Sequence, residues 1–392
     1  MVGNPAHPEY GVVSLPFPIP NEQYDHVIEA LLPPMQIGDP IKQDCVVKEV
    51  DAGCWPALKA LEGQTVNVDE LDYLAKRLDS FFEGEDAQYQ GMAHKLGLSA
   101  IKDLINLTFC CQEATVIDNF RELEKAGKAH LMNLNGGSMP VDEYEKSDGR
   151  AVAEKLIRSG GGQLTPYGVV YDNGMELEQI YDGRHFPCYH YAPSPIVAGI
   201  VSCCAAEVEA PKDWLYLPAS QRQIDRALAR AGIQSTDEAI LREFENALPE
   251  AVENALFLNS ECIEALNDMC AAIMPLDGKE RAKLEAVVNV VAPNSASQIT
   301  QLAENLDMFD FAPQAKTPED LGKYMVKESG HFEYDPNLEG FYDYKKLGEQ
   351  RMEDHPGRFT EQGYISYEGA IPLEELMAGE QQAQGPEMGG MG

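Results

Sequence analysis

Apolar and polar positions fall into short strand-like and helical groups along this chain, and the groups occur in the same order twice. A β-like stretch, Tyr10 to Phe17, runs into Pro18-Ile-Pro-Asn-Glu-Gln23-Tyr-Asp25. Later, Trp214 to Leu217 runs into Pro218-Ala-Ser-Gln-Arg-Gln223-Ile-Asp225. At an offset of 200 residues the proline, glutamine and aspartate of the two segments coincide. Each reads as a strand followed by a helix that starts just after a proline. Next, Asn67-Val-Asp-Glu70 has the spacing of a capping box, ahead of Leu71, Leu74 and Leu78 on one helical face. Ser260 and Glu261, followed by Ile263, Leu266 and Cys270, are the counterpart. A further helix is expected through Ile101, Leu104 and Leu107, and again through Ile299, Leu302 and Leu306.

Two more blocks complete each half. Phe120-Arg-Glu-Leu123 corresponds to Thr317-Pro-Glu-Asp-Leu321, where threonine as N-cap, proline at the first position and two acids predict a helix start. Arg150 to Arg158 then leads to Gly160-Gly-Gly-Gln-Leu-Thr165-Pro-Tyr-Gly168-Val-Val, and Lys345 to Glu353 leads to Gly357-Arg-Phe-Thr360-Glu-Gln-Gly363-Tyr-Ile. Both are a helix, a glycine stop and a turn feeding a strand. Blocks that recur in one order point to duplication. The expected organisation is a first module at 1–174, a Tyr-, Pro- and Cys-bearing connector at 175–213, a second module at 214–370, and a tail at 371–392. The end of that tail is low in complexity and expected to be disordered.

Charge changes the picture most. The sequence holds 65 Asp and Glu against 30 Lys and Arg, a formal −35. Such a surface repels nucleic acid and anionic membrane, so the expected partner is cationic, and direct nucleic-acid or membrane binding is not expected. General solubility, or a salt-rich cytoplasm, would also produce an acidic chain. The charge is divided almost evenly, −17 over residues 1–210 and −18 over residues 211–392, unlike an acidic tail.

The remaining features exclude more than they assign. Nine cysteines show no C-x-x-C spacing, which suits a reducing cytoplasm. Met1 to Tyr10 lacks the features of a signal peptide, and Pro193 to Ala206 is too short to span a bilayer, so a cytoplasmic location is expected. No phosphate-binding, dinucleotide, zinc-protease or nucleophile-elbow motif occurs. His185-Phe-Pro-Cys188-Tyr-His190 offers half a metal site without a second cluster, so a plain loop is favoured and neither metal nor cofactor is expected. With 65 acids, carboxylate pairs arise by chance and carry no catalytic weight. Tyr342, Tyr344, Tyr364 and Tyr367 are candidates either to anchor a partner or to sit half-buried in the fold.

Three runs in the second half carry a family resemblance: Thr317-Pro-Glu-Asp-Leu-Gly-Lys-Tyr, Phe341-Tyr-Asp-Tyr-Lys-Lys-Leu-Gly348 and Phe359-Thr-Glu-Gln-Gly-Tyr-Ile365. Together they resemble the ArdA antirestriction proteins of conjugative and other mobile elements, most specifically over residues 313–365. The first half keeps the order but departs in wording, with Leu164-Thr-Pro-Tyr-Gly-Val-Val in place of Phe-Thr-x-x-Gly-Tyr. The resemblance implies an elongated α+β protein, here a tandem of two diverged modules, each with small antiparallel sheets and a helical segment. It also implies a non-enzymatic DNA mimic that occupies the DNA groove of type I restriction–modification enzymes, at their methyltransferase and specificity core. Relatives of one module usually act as homodimers, so this chain is expected to be a monomeric pseudo-dimer or a homodimer.

Duplex DNA carries one charge per about 1.7 Å of axis, so −35 on one face would match roughly 60 Å of duplex. Carboxylates would then stand in for phosphates before Arg and Lys. The candidate mimic residues are Asp142, Glu143, Glu145 and Asp148 in the first half. In the second they are Asp335, Glu339, Asp343, Glu349, Glu353, Asp354 and Glu361. Each taken singly also fits a solvated helix face. The alternatives are mimicry aimed at another DNA-binding defence enzyme, an acidic structural or regulatory protein of a mobile element, and, last, an enzyme without a familiar motif.

Overall fold

A computed structural model describes residues 1–378 except 52, 54, 206–208 and 331–332. The end of the tail, expected to be disordered, lies outside the described residues. The chain divides into two units, one made of Met1–Ala192 with Ser220–Ile233 and the other of Pro193–Ala219 with Gln234–Gly392. Both mix helices with small antiparallel sheets, so the fold is α+β.

In the first unit a sheet runs in the order Val12–Val13, Val2–Gly3, Cys45–Val47, Thr65–Val66. The strand expected over Tyr10 to Phe17 shrinks to Val12–Val13 behind a 3-10 turn, Pro8–Tyr10. Pro16, Pro18 and Pro20 lack the amide protons a longer ladder would need. Phe17-Pro18 and Leu217-Pro218 are cis peptide bonds. The helix Asn21–His26 continues into one π-helical turn, Val27–Leu31.

The expected capping box is present on Val68–Asp79: Asn67 accepts from the Asp69 amide at 2.7 Å and Glu70 accepts from the Asn67 amide at 3.0 Å. Leu74 and Leu78 from this helix, Tyr89 and Met92 from Glu85–Leu96, and Leu104 and Leu107 from Ile101–Leu107 form the buried centre of the unit. The helix Gln221–Ala231 also belongs to this unit. Ser220 and Gln223 form its capping box, and Arg184 closes its other end by donating to the carbonyls of Arg230 (2.7 Å) and Ala229 (3.2 Å).

In the second unit a three-stranded sheet has Ile196–Ser202 at its centre, between Ala239–Asn246 and Asp213–Leu217. The central strand falls inside the segment read from sequence as a connector. Its run of Ile, Val, Ala and Gly has no alternation, because a strand flanked on both sides and buried on both faces needs none. Helices Ile263–Ile273, Gly278–Val291 and Ala296–Glu304 follow. The Ser260–Glu261 start is displaced: Ser260 ends a 3-10 turn, and Cys262 sits at the N-cap of Ile263–Ile273 with no side-chain cap.

Each unit also holds a three-stranded sheet in which the last strand lies in the middle. In the first the order is Thr115–Ile117, Gly168–Tyr171, Gln163–Thr165; in the second it is Phe309–Pro313, Gly363–Tyr367, Gly357–Phe359. A helix pair follows the first strand in each, Leu123–Leu134 with Gly149–Ser159 and Pro318–Lys327 with Tyr344–Asp354. The expected glycine stop is present at Gly160 but not after Tyr344–Asp354, where His355 takes the C-cap and Gly357 opens the strand.

Candidate partner-binding surface

The surface is built on the second helix pair. Thr317 caps Pro318–Lys327, accepting from the Asp320 amide (3.2 Å), while Asp320 accepts from the Thr317 amide (3.1 Å). The two helices touch backbone to backbone. A Cβ on Gly322 would lie 1.9 Å from the Tyr344 carbonyl, and one on Gly348 would lie 1.8 Å from the Pro318 carbonyl. Only glycine permits that approach. Below them Arg351 holds the sheet edge, donating to Asp310 (2.8 Å) and to Glu368.

The loop between these helices carries acids in fixed positions. Asp335 caps the 3-10 helix Pro336–Phe341, accepting from the Asn337 amide at 2.9 Å, and Asp343 caps Tyr344–Asp354, accepting from Lys346 at 3.1 Å. Glu339 is the hub. It pairs with Lys327 at 2.7 Å and accepts from the hydroxyls of Tyr334 (2.7 Å) and Tyr344 (2.8 Å). Lys327 lies 5.3 Å from the ring centres of both tyrosines, and Tyr342 stacks on Tyr344 at 5.6 Å. The Lys327 hydrogen bond, then those of the two tyrosines, hold the Glu339 carboxyl down at about 2. Its charge is therefore fixed in place and present across the physiological range.

Glu349 pairs with Lys345 at 3.7 Å, and Asp354 accepts from Gln350 at 3.2 Å. Glu353 and Glu361 are exposed, and the Glu361 carbonyl receives the Lys316 ammonium. In the first unit Asp142, Glu143 and Glu145 stand exposed on the helix Val141–Lys146, and Asp148 caps Gly149–Ser159 through the Ala151 amide at 2.9 Å. Lys128 there lies 5.2 Å from the Tyr144 ring and 3.4 Å from Glu124. Three of the eleven acids picked from sequence, Asp148, Asp335 and Asp343, thus also start helices.

For the four tyrosines the structure favours the second of the two sequence readings, a place within the fold. Tyr344 and Tyr364 are buried, Tyr342 and Tyr367 half-buried, because their rings pack against their own helix pair or sheet. The outward aromatic is instead Phe341, 86% exposed. Nothing in the alternation of Phe341-Tyr-Asp-Tyr344 distinguishes which ring turns out; the 3-10 geometry of the loop decides it.

A second set of acids went unmarked in the sequence. In the first unit Asp69 is buried and faces Arg226 and Arg230 from Gln221–Ala231, at 3.0 and 2.8 Å. Arg226 Nη2 lies 3.0 Å from Asp69 Oδ2 but out of line for a hydrogen bond, so the pair is held through Nε. Beside it burial raises the carboxyls of Glu70 and Asp72, although Tyr181 and Gln43 donate to the first and Lys76 and the Ile19 amide to the second. The available signal was Arg226 and Arg230 one turn apart on a helix with an apolar face. In the 185–190 segment, read from sequence as a plain loop in preference to half a metal site, His185 turns to Asp182 at 2.6 Å, while Cys188 Sγ lies 3.7 Å from His190 Nε2.

Eight cysteines are described and all are free thiols. Among the described residues no helix is long and apolar enough to cross a membrane. Residues 209–366 match the family model described as Antirestriction protein (ArdA). No curated protein matches the chain. The matched region takes in the glycine-crossed helix pair, the acidic loop and the sheet beneath them. Over residues 209–366, therefore, the chain is similar to the ArdA antirestriction family.

Proposed function

We propose that the chain inhibits type I restriction–modification enzymes by occupying their DNA groove as a mimic of duplex DNA. The observation that carries this reading is that acids of the matched region are exposed yet positionally fixed. Asp335 and Asp343 are locked as helix caps, Glu339 is clamped by a lysine and two tyrosine hydroxyls, and Glu349 rests on Lys345. Phosphates on a duplex are likewise fixed in register. A preformed array binds a cationic groove without losing side-chain freedom at that moment, and released counterions drive docking.

The tandem arrangement belongs to the same proposal. Both three-stranded sheets place their last strand in the middle, and both helix pairs cross at glycines, Gly127 with Gly149 and Gly322 with Gly348. Thr165 and Thr360 each donate at 2.9 Å to the carbonyl of the glycine three residues on. Asp148 and Asp343 each cap the second helix. These matches support two diverged modules in one chain, a covalent pseudo-dimer in which a connector joins 1–174 to 214–370. A cytoplasmic setting, where such enzymes meet DNA, goes with this reading.

The test replaces Asp335, Glu339, Asp343, Glu349 and Glu353 by their amides together. Asn keeps a cap acceptor at 335 and 343, so folding is preserved while charge is removed. Inhibition of a type I enzyme should weaken at least tenfold, with a shallower salt dependence. Full inhibition by this variant would mean the acidity only solubilises.

A further inference from the structure

Phe341 is the most exposed large apolar side chain among the described residues, at 86%. Single exposed apolar groups are ordinary on protein surfaces, so exposure alone carries nothing. What sets this ring apart is the rigidity and charge of its mount. It ends the 3-10 helix Pro336–Phe341, which Asp335 caps and in which the Leu338 amide donates to the Asp335 carbonyl at 3.0 Å. The next residue, Tyr342, stacks on Tyr344 and accepts from the Asp335 amide at 3.2 Å. The neighbouring carboxylates are Glu339, two residues before, and Asp343, two residues after, both held by the bonds described above. The result is a phenyl ring held out in water on a capped turn, with a positionally fixed acid two residues before it and another two residues after it in sequence.

That anatomy matches an interface anchor, an aromatic group ringed by polar contacts that exclude water. The acidity of this loop selects the partner. It repels an anionic lipid surface and another copy of itself, and suits a cationic groove. Enzymes that modify a base within a duplex have such a groove, and next to it a pocket that receives the extruded base between apolar and aromatic walls. A benzene ring stacks as a base does, without needing its hydrogen-bonding edge.

We propose that Phe341 enters the extruded-base pocket of the target enzyme while Glu339 and Asp343 occupy the flanking phosphate positions. This rests on the DNA-mimic reading above and adds to it a specific anchor, so that the chain blocks the chemical site as well as the groove.

The experiment uses the full chain, a type I methyltransferase core, and a duplex carrying 2-aminopurine at the base to be modified, whose fluorescence reports extrusion. Wild type, Phe341→Ala and Phe341→Trp are titrated against the enzyme–duplex complex. Phe341→Ala should need at least fivefold more protein to displace the duplex, with the salt slope unchanged, and Phe341→Trp should stay within twofold of wild type. A smaller loss for Phe341→Ala, or a tryptophan variant as weak as alanine, overturns the anchor. If wild type itself fails to displace the duplex, the mimic reading falls with it; displacement by wild type and Phe341→Ala alike removes the anchor alone. In a second arm, Phe341→p-benzoylphenylalanine should crosslink to residues lining the base pocket. Crosslinks confined to residues outside that pocket would overturn the assignment.

Discussion

Asp69, with two arginines and a tyrosine, and Glu339, with one lysine and two tyrosines, do opposite things. Asp69 is 7% exposed, faces two guanidinium groups and the Tyr24 hydroxyl (3.5 Å), and ties the helix Gln221–Ala231 to Val68–Asp79 within the first unit. Glu339 is exposed in the second unit, where a lysine and two hydroxyls aim it without hiding it. Burial turns one carboxylate into a fold determinant, and exposure with the same number of partners leaves the other available to a partner. Sixty-five acids are therefore not one population. Counting them overstates the array available for mimicry, because Asp69, Glu70 and Asp72 are enclosed.

The contrast is sharpest in stability. Asp69→Ala removes the carboxylate that faces the buried Arg226 and should cost about 3–5 kcal/mol in the first unit. Glu339→Gln should lower the denaturation midpoint of the second unit only slightly, because solvent screens the exposed clamp on Lys327. Trp55 in the first unit and Trp214 in the second are the two tryptophans, so fluorescence during urea denaturation, with either replaced by Phe, reads the units separately. Equal losses from both variants would remove the distinction.

Next in size are the helix crossings. Gly127→Ala puts a Cβ 1.8 Å from the Gly149 carbonyl, and Gly322→Ala puts one 1.9 Å from that of Tyr344. Each should cost about 2–3 kcal/mol, by forcing apart a helix pair that has no side chain to yield. The same fluorescence reading should show each unit responding to its own glycine by a similar amount. A loss in only one unit would break the likeness of the two helix pairs.

The pH response is a smaller effect and should differ in sign. The Glu339 pKa is depressed to about 2 from its usual 4.5, so its stabilising contribution is complete above about pH 4.5 and lost as pH falls through 2. Burial raises Asp72 and Glu70, so their ionisation opposes folding, and acidification through their raised pKa values relieves that penalty. Carboxyl NMR titrations should place the Asp72 midpoint above 3.8 and that of Glu339 well below 4.5. A Glu339 midpoint at 4.5 would mean the Lys327 clamp is absent in solution. The smallest effect expected is from Asp142→Asn and Glu143→Gln, which stand exposed on a short helix and should leave both midpoints unchanged.

Much of the helical framework was legible from caps. The Asn67–Glu70 box and the Thr317-Pro318 start lie where residue type alone puts them, because capping is local chemistry. The central strand Ile196–Ser202 was not, since an unbroken apolar run has no period to read and the intervals on either side looked like linker. The Asp69–Arg226 pair spans 157 residues, and no local rule announces a partner so distant. At the candidate surface the acids were visible as residues, but not which of them also begin helices. The outward turn of Phe341 was hidden because it depends on a 3-10 loop pinned by Glu339, a hydrogen-bond pattern that arises only once both helices are placed.

The most direct measurement is a displacement titration. The full chain is added to a type I methyltransferase core already bound to its duplex, at several salt concentrations between about 50 and 200 mM. The account predicts displacement at one chain per enzyme, with affinity falling roughly a hundredfold or more across that range as counterions compete. A duplex that stays bound at low salt, or a displacement indifferent to salt, would contradict it.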